Sequence, residues 1–181
     1  MQKSSKMLHS TMLTMMVAMG VVISPLLRVE GLCPMAHFIN VVCAVFLGPW
    51  YALASAVMIG VIRMLFMAIP PLALTGAIFG AFLSGVFYKL SKGSLLAAVL
   101  GEIVGTGFIG SIVSYPVMTF LWGRHELTWF FYVPSFVLAT IIGGSIALVF
   151  LKALSKSGVL TKIQYKLGGP VYDLGKHTMG D

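Results

Sequence analysis

The sequence predicts an all-α membrane protein: a bundle of six transmembrane helices with both termini in the cytoplasm. Three observations carry that expectation. Apolar residues make up 59% of the 181-residue chain and charged residues only 9%, against roughly 45–50% and about 25% in soluble domains. So few charges cannot coat a water-soluble surface. The apolar residues fall into segments approaching the roughly 20 residues that cross a hydrocarbon layer of about 30 Å. Finally, lysines and arginines sit at opposite ends of those segments.

The first span, about 7–24, follows Lys3 and Lys6 and stops at Ser24-Pro25. It resembles a secretory signal but lacks a small-x-small cleavage site before Ser24-Pro25, and more spans follow, so an uncleaved first helix is expected. The polar stretch Leu27–Gly31 follows it. The second span, about 35–48, is short and ends at the Gly48-Pro49 turn. The third, about 50–68, opens on Trp50-Tyr51, residues suited to a membrane interface, and is broken by Pro70-Pro71. The fourth, about 72–90, runs into Lys89-Leu90-Ser91-Lys92-Gly93. The fifth, about 94–121, is Gly-rich and contains Pro116, and the sixth is placed at about 129–153. Residues 157–181 read as a polar cytoplasmic tail. Within it, Val159, Leu160, Ile163 and Leu167 can share one face of a short interfacial helix, although the turn-rich composition favours a solvated tail.

All nine lysines (3, 6, 89, 92, 152, 156, 162, 166, 176) lie at the N-terminus, between the fourth and fifth spans, or after the start of the sixth span's last turn. With six spans these places share one side, which the positive-inside rule makes the cytoplasm. Arg28, Arg63 and Arg124 fall on the other side. Two readings of them stay open: pairing with Glu30 and Glu126, or contact with a ligand through the planar guanidinium fork. The net charge of +7 does not indicate nucleic acid, because the basic residues are scattered rather than clustered on one face.

Small residues recur every four positions at Gly76, Gly80 and Ser84, and again at Gly101 and Gly105. In lipid such stripes let helix backbones approach closely. Ser10, Thr14 and Ala18 form a similar stripe on the first span, for internal packing or for a partner subunit. Cys43 is expected to be a buried packing residue, and a bridge to Cys33 is not expected.

Glu102 is the one acid inside a span. An ionisable group at that depth faces the bundle interior or a wet cavity and is by default a functional candidate; a structural carboxyl bonded to a neighbouring helix is the alternative. His37 and Asn40, three apart, share a helix face near the external end. With Arg63, Tyr115, Trp122 and Trp129 they make a polar and aromatic set suited to a small flat heterocycle. Trp122 and Trp129 equally suit an interfacial belt.

The enzyme signatures His-Glu-x-x-His, Gly-x-Ser-x-Gly and Gly-x-x-x-x-Gly-Lys-Ser/Thr are missing from the sequence. The Gly-Thr-Gly at 105–107 lies in an apolar span and carries little weight as a nucleotide motif. The four histidines have no metal-ligand spacing, so neither a metal nor a resident cofactor is implied. Energised transport would need a partner ATPase or an ion gradient.

The block from Pro34 to Ala52 resembles the second helix and turn of the ThiW family, substrate-binding (S) components of energy-coupling factor (ECF) vitamin transporters. Ser24–Arg28, Ile62-Arg63, Gly101–Gly110, Ser114–Pro116 and Phe131–Pro134 fit the same pattern in order, over about residues 10–150. One stretch departs: where the family tends to Gly-Thr-Gly-Thr and then Phe-Pro-Gly-Ser, this chain has Met67–Pro70 and Leu74–Ala77. The resemblance implies a six-helix S component of a prokaryotic plasma membrane, with a ligand pocket near the outer surface closed by the loop after the first helix. It implies the thiazole precursor hydroxyethylthiazole as cargo, and as partners a membrane coupling subunit (EcfT) and two cytoplasmic ATPases. Toppling in the membrane would release the cargo, and Thr14 and Ala18 match the small residues that contact the coupling subunit. The rival readings are an S component for another nutrient, such as the thiamine pyrimidine, and a non-transport membrane enzyme or assembly factor.

Overall fold

A computed structural model describes residues 2–25, 28, 32–168 and 172. Every regular helix or strand element among them is a helix: α1 Gln2–Ile23, α2 Pro34–Leu47, α3 Pro49–Met67, α4 Leu72–Leu90, α5 Leu95–Phe120, α6 Val133–Lys156 and α7 Val159–Leu167. Proline sets the starts of α2, α3 and α6, where its missing N–H costs nothing. Gly48 (φ 84°) makes the tight turn between α2 and α3, a conformation an L side chain resists.

Five helices, α1 and α3 to α6, are long and apolar enough to cross a membrane. Their outward faces are apolar: Phe66 is 81% exposed and Phe120 80%. A surface of this kind suits lipid and not water. The chain is therefore a multi-pass membrane protein.

The second expected span differs. Helix α2 has 14 residues, about 21 Å at 1.5 Å per residue, short of a hydrocarbon layer of about 30 Å. Eleven of its residues are buried, and it touches every other helix. It is the axis of the bundle, with Val41 to Leu47 at the centre of the hydrophobic core. Protein rather than lipid surrounds it, so it need not match the bilayer.

The small-residue stripes bring α4 and α5 into close contact. A Cβ on Gly101 would lie 2.5 Å from the Leu83 carbonyl oxygen, and one on Gly105 2.5 Å from that of Phe79 and 2.6 Å from Gly80 Cα. Helices α4 and α5 thus meet backbone to backbone, as small residues four apart allow. Within α5, Ile103–Gly110 is a π-helix, a form uncommon at this length and frequent at functional sites. Hydroxyls supply extra bonds to its carbonyls: Ser111 donates to Gly107 and Ser114 to Gly110, each at 2.6 Å.

At the end of the bundle that carries Lys89 and Lys92, α7 folds back beneath α2. Leu160 and Leu167 are buried, and the Gln164 amide donates to the Val45 carbonyl (3.2 Å) and to the Tyr88 hydroxyl (2.9 Å). Of the two readings of the C-terminal segment, Val159–Leu167 takes the helical one, because its apolar face finds a core to cover. Helix α6 begins at Val133, four residues after the expected start, since Trp129–Tyr132 turn before entering it. Cys33 and Cys43 are both free, and Cys43 is fully buried.

Candidate functional site

The shortness of α2 creates the site. Its first turn starts inside the bundle, and the space beyond that turn is a cavity of about 100 Å³ at the end opposite Lys89 and Lys92. Ala36 and His37 of α2 form the cavity floor, and Arg63 comes from the last turn of α3. Ala73, Gly76 and Ala77 of α4, Thr106 of the π-helix, and Phe136 of α6 make the walls, with Ile69 and Pro70 at the α3–α4 turn. Arg28 and Cys33 close it from the α1–α2 connection. A lining of this kind is mostly apolar, with a few polar groups that can fix orientation.

Glu102 lies directly behind the floor. It is the eighth residue of α5 and fully buried. Its Oε1 is 2.9 Å from His37 Nδ1 and accepts from Asn40 Nδ2 at 3.0 Å. Thr106 Oγ1, one α-helical turn further along the chain, stands 3.0 Å from the same oxygen and 3.0 Å from the Gly76 carbonyl. A hydroxyl has one proton, so Thr106 serves one of these acceptors at a time. Asn40 also reaches the Ala77 carbonyl at 3.4 Å. Three side chains from two helices therefore converge on one carboxyl oxygen. The second oxygen, Oε2, has no partner; it lies against Gly80, where an added Cβ would sit 2.6 Å away.

His37 is held from behind as well. Gly143 of α6 faces the Pro34 carbonyl and the His37 Cβ, with room for no side chain of its own. With Nδ1 committed to Glu102, the Nε2 edge is the part of the ring left for the cavity it lines.

Of the residues expected at a site, His37 and Arg63 line the cavity, Glu102 holds His37, and Asn40 holds Glu102. Tyr115, Trp122 and Trp129 are not among the lining residues. Tyr115 and Trp129 pack on each other, with centroids 4.5 Å apart, while Trp122 is 50% exposed and Trp129 55%. Aromatic residues at helix ends suit an interface. Replacing Trp122 with alanine is expected to change ligand affinity less than about twofold, since rim contacts contribute little; a titration of the purified variant checks it. Thr14 and Ala18 are exposed on α1, and the Thr14 hydroxyl donates to the Ser10 carbonyl at 2.9 Å. The Ser10 stripe therefore faces outward and takes no part in internal packing.

Arg63 is buried in α3, and Arg124 and Glu126 are exposed with no ion pair between them. Glu30 lies outside the described residues. Thr106, Cys33 and Phe136 line the cavity although nothing singled them out beforehand. Thr106 had a legible signal, being four residues after Glu102 and so on the same side of its helix. The two stretches that depart from the family pattern supply Ile69, Pro70, Gly76 and Ala77 to the wall.

A family model described as thiamine-precursor transporter protein (ThiW) matches residues 10–157. No curated protein and no solved structure matches the chain.

Proposed function

We infer that this chain, which belongs to the ThiW family of thiamine-precursor transporter proteins, is the substrate-capturing subunit of an ATP-driven ECF importer with hydroxyethylthiazole as its cargo. The observation that carries the reading is the cavity above α2, apolar on most sides and backed by the His37–Glu102–Asn40 network. The thiazole ring suits the apolar wall, and the hydroxyethyl group can exchange hydrogen bonds with His37 and Thr106.

The lysine pattern supports cytoplasmic termini and a cavity opening outward. Counting α2 as the shortest of six membrane helices is part of the same reading. The sequence carries no phosphate-cradling motif, so ATP hydrolysis would fall to partner subunits at the lysine-bearing end. The outward stripe of Thr14 and Ala18 offers α1 a close contact with a membrane coupling subunit, small residues being what such contacts favour. In this reading the chain captures and releases its cargo without chemistry.

A thermal-shift screen of the purified protein tests the cargo. Ligand at 100 times its Kd stabilises by about 2.7 kcal/mol, and hydroxyethylthiazole is expected to do so while the thiamine pyrimidine does not. Stabilisation by the pyrimidine alone would favour a second reading, an S component for another nutrient, to which the departing residues in the cavity wall already point. Purification from native membranes without any ATPase or coupling subunit would count against the importer.

A further inference from the structure

Arg63 is charged, buried and almost without partners. It is 3% exposed. Its Nη2 donates to the Cys33 thiol at 3.4 Å, and its Nε has no partner. A guanidinium carries five N–H donors and sulfur is a weak acceptor, so one poor bond leaves most of the charge unmatched. Among the described residues the sole pairing of a basic group with a carboxyl is that of His37 with Glu102. Glu102 stands behind His37, with His37 and Asn40 against its Oε1, and it does not line the cavity. A second guanidinium, Arg28, stands at the cavity's edge. Burying a charge without a partner is among the costliest arrangements a fold can hold, and apart from Arg28, Cys33, His37 and Thr106 the rest of the lining is apolar.

We propose that the cargo carries an anionic oxygen group, a carboxylate or phosphate, which docks on Arg63 and supplies the partner that the described residues do not. This rests on the reading of the cavity as the site of a thiazole precursor; within that class it ranks an acidic thiazole, such as the phosphate ester of hydroxyethylthiazole, above the neutral alcohol, which binds the same cavity more weakly. The planar fork of arginine matches a carboxylate or phosphate edge with two parallel bonds. His37 and the apolar wall would hold the ring.

The test compares three ligands on the full chain in detergent: hydroxyethylthiazole, its phosphate monoester, and 4-methylthiazole-5-carboxylate. One of the two anions is expected to bind at least about tenfold more tightly than the alcohol, as charge-assisted bonds are roughly twice as strong as neutral ones. Arg63→Gln should bring the three within about threefold of one another. Should that variant fold poorly, Arg63→Lys, which keeps the charge but loses the fork, is expected to reduce the preference severalfold. Equal or better binding of the alcohol in the wild type overturns the inference, as does a preference that survives either substitution unchanged. If no thiazole binds, the thiazole reading falls, and alkylation of Cys33 then decides the anion site by itself. Slowing of alkylation by inorganic phosphate or acetate in the wild type, and not in Arg63→Gln, keeps the inference; no slowing ends it.

Discussion

Replacing Glu102 with alanine is expected to destabilise the protein by about 1–3 kcal/mol for each buried polar group it leaves without its partner. The cause is specific. Oε1 is the acceptor on which His37 Nδ1, Asn40 Nδ2 and Thr106 Oγ1 converge, and Asn40 and Thr106 retain only the Ala77 and Gly76 carbonyls once it is gone. His37 keeps no partner at Nδ1 and no fixed ring orientation. Ligand affinity should fall with it, by more than about tenfold, because the ring then has to be ordered on binding. Glu102→Gln separates the two effects. It preserves volume and one acceptor, so melting should recover most of the loss while affinity stays several-fold low. Paired thermal melts and titrations of both variants measure this, and wild-type affinity in Glu102→Gln would reduce Glu102 to a packing residue.

The second large effect belongs to Gly105. A Cβ there meets the Phe79 carbonyl oxygen at 2.5 Å and Gly80 Cα at 2.6 Å. Both are backbone atoms, so no side chain can turn aside to make room. Gly105→Ala should cost about 1–3 kcal/mol, as overpacking does, and Gly105→Val more, because a branched side chain must push α4 bodily away. Since α4 supplies Ala73, Gly76 and Ala77 to the cavity wall and α5 supplies Thr106, the displacement also opens the site. Detergent melting temperatures of the two variants give the check, with valine expected below alanine and alanine below wild type.

These two residues also show what is readable in the sequence. Glu102 announced itself as a lone acid at depth, and the glycine stripes by their spacing of four; both signals are local. His37 and Asn40 were readable as a pair because three residues bring side chains to one face of a helix. What joins them to Glu102 is a contact 62 and 65 positions away in the chain, which no local pattern encodes. Thr106 was passed over because Gly105-Thr106-Gly107 was weighed as a nucleotide motif, although its distance from Glu102 placed it in reach. The tryptophans drew attention through their chemistry, but their distance from the first turn of α2 depends on how far that helix rises, and its length is set by burial. The helix at Val159–Leu167 was obscured by polar residues, one of which, Gln164, turned out to bond the Val45 carbonyl inside the bundle. The π-helix had no sequence sign beyond its glycines, which serve close packing equally well.

Whether a thiamine precursor occupies the cavity above α2 can be read directly at Cys33. Cys33 lines the cavity, whereas the other cysteine, Cys43, is fully buried in α2. A thiol reagent should therefore report the cavity alone, with Cys33→Ser as the blank. The measurement is the alkylation rate of Cys33 with and without a thiazole ligand at a concentration that stabilises the protein in melting. Saturating ligand is expected to slow the reaction at least about tenfold, as burial of most of a bound ligand's surface requires. Stabilisation by the ligand with an unchanged Cys33 rate would place the binding site elsewhere and rule out the cavity above α2.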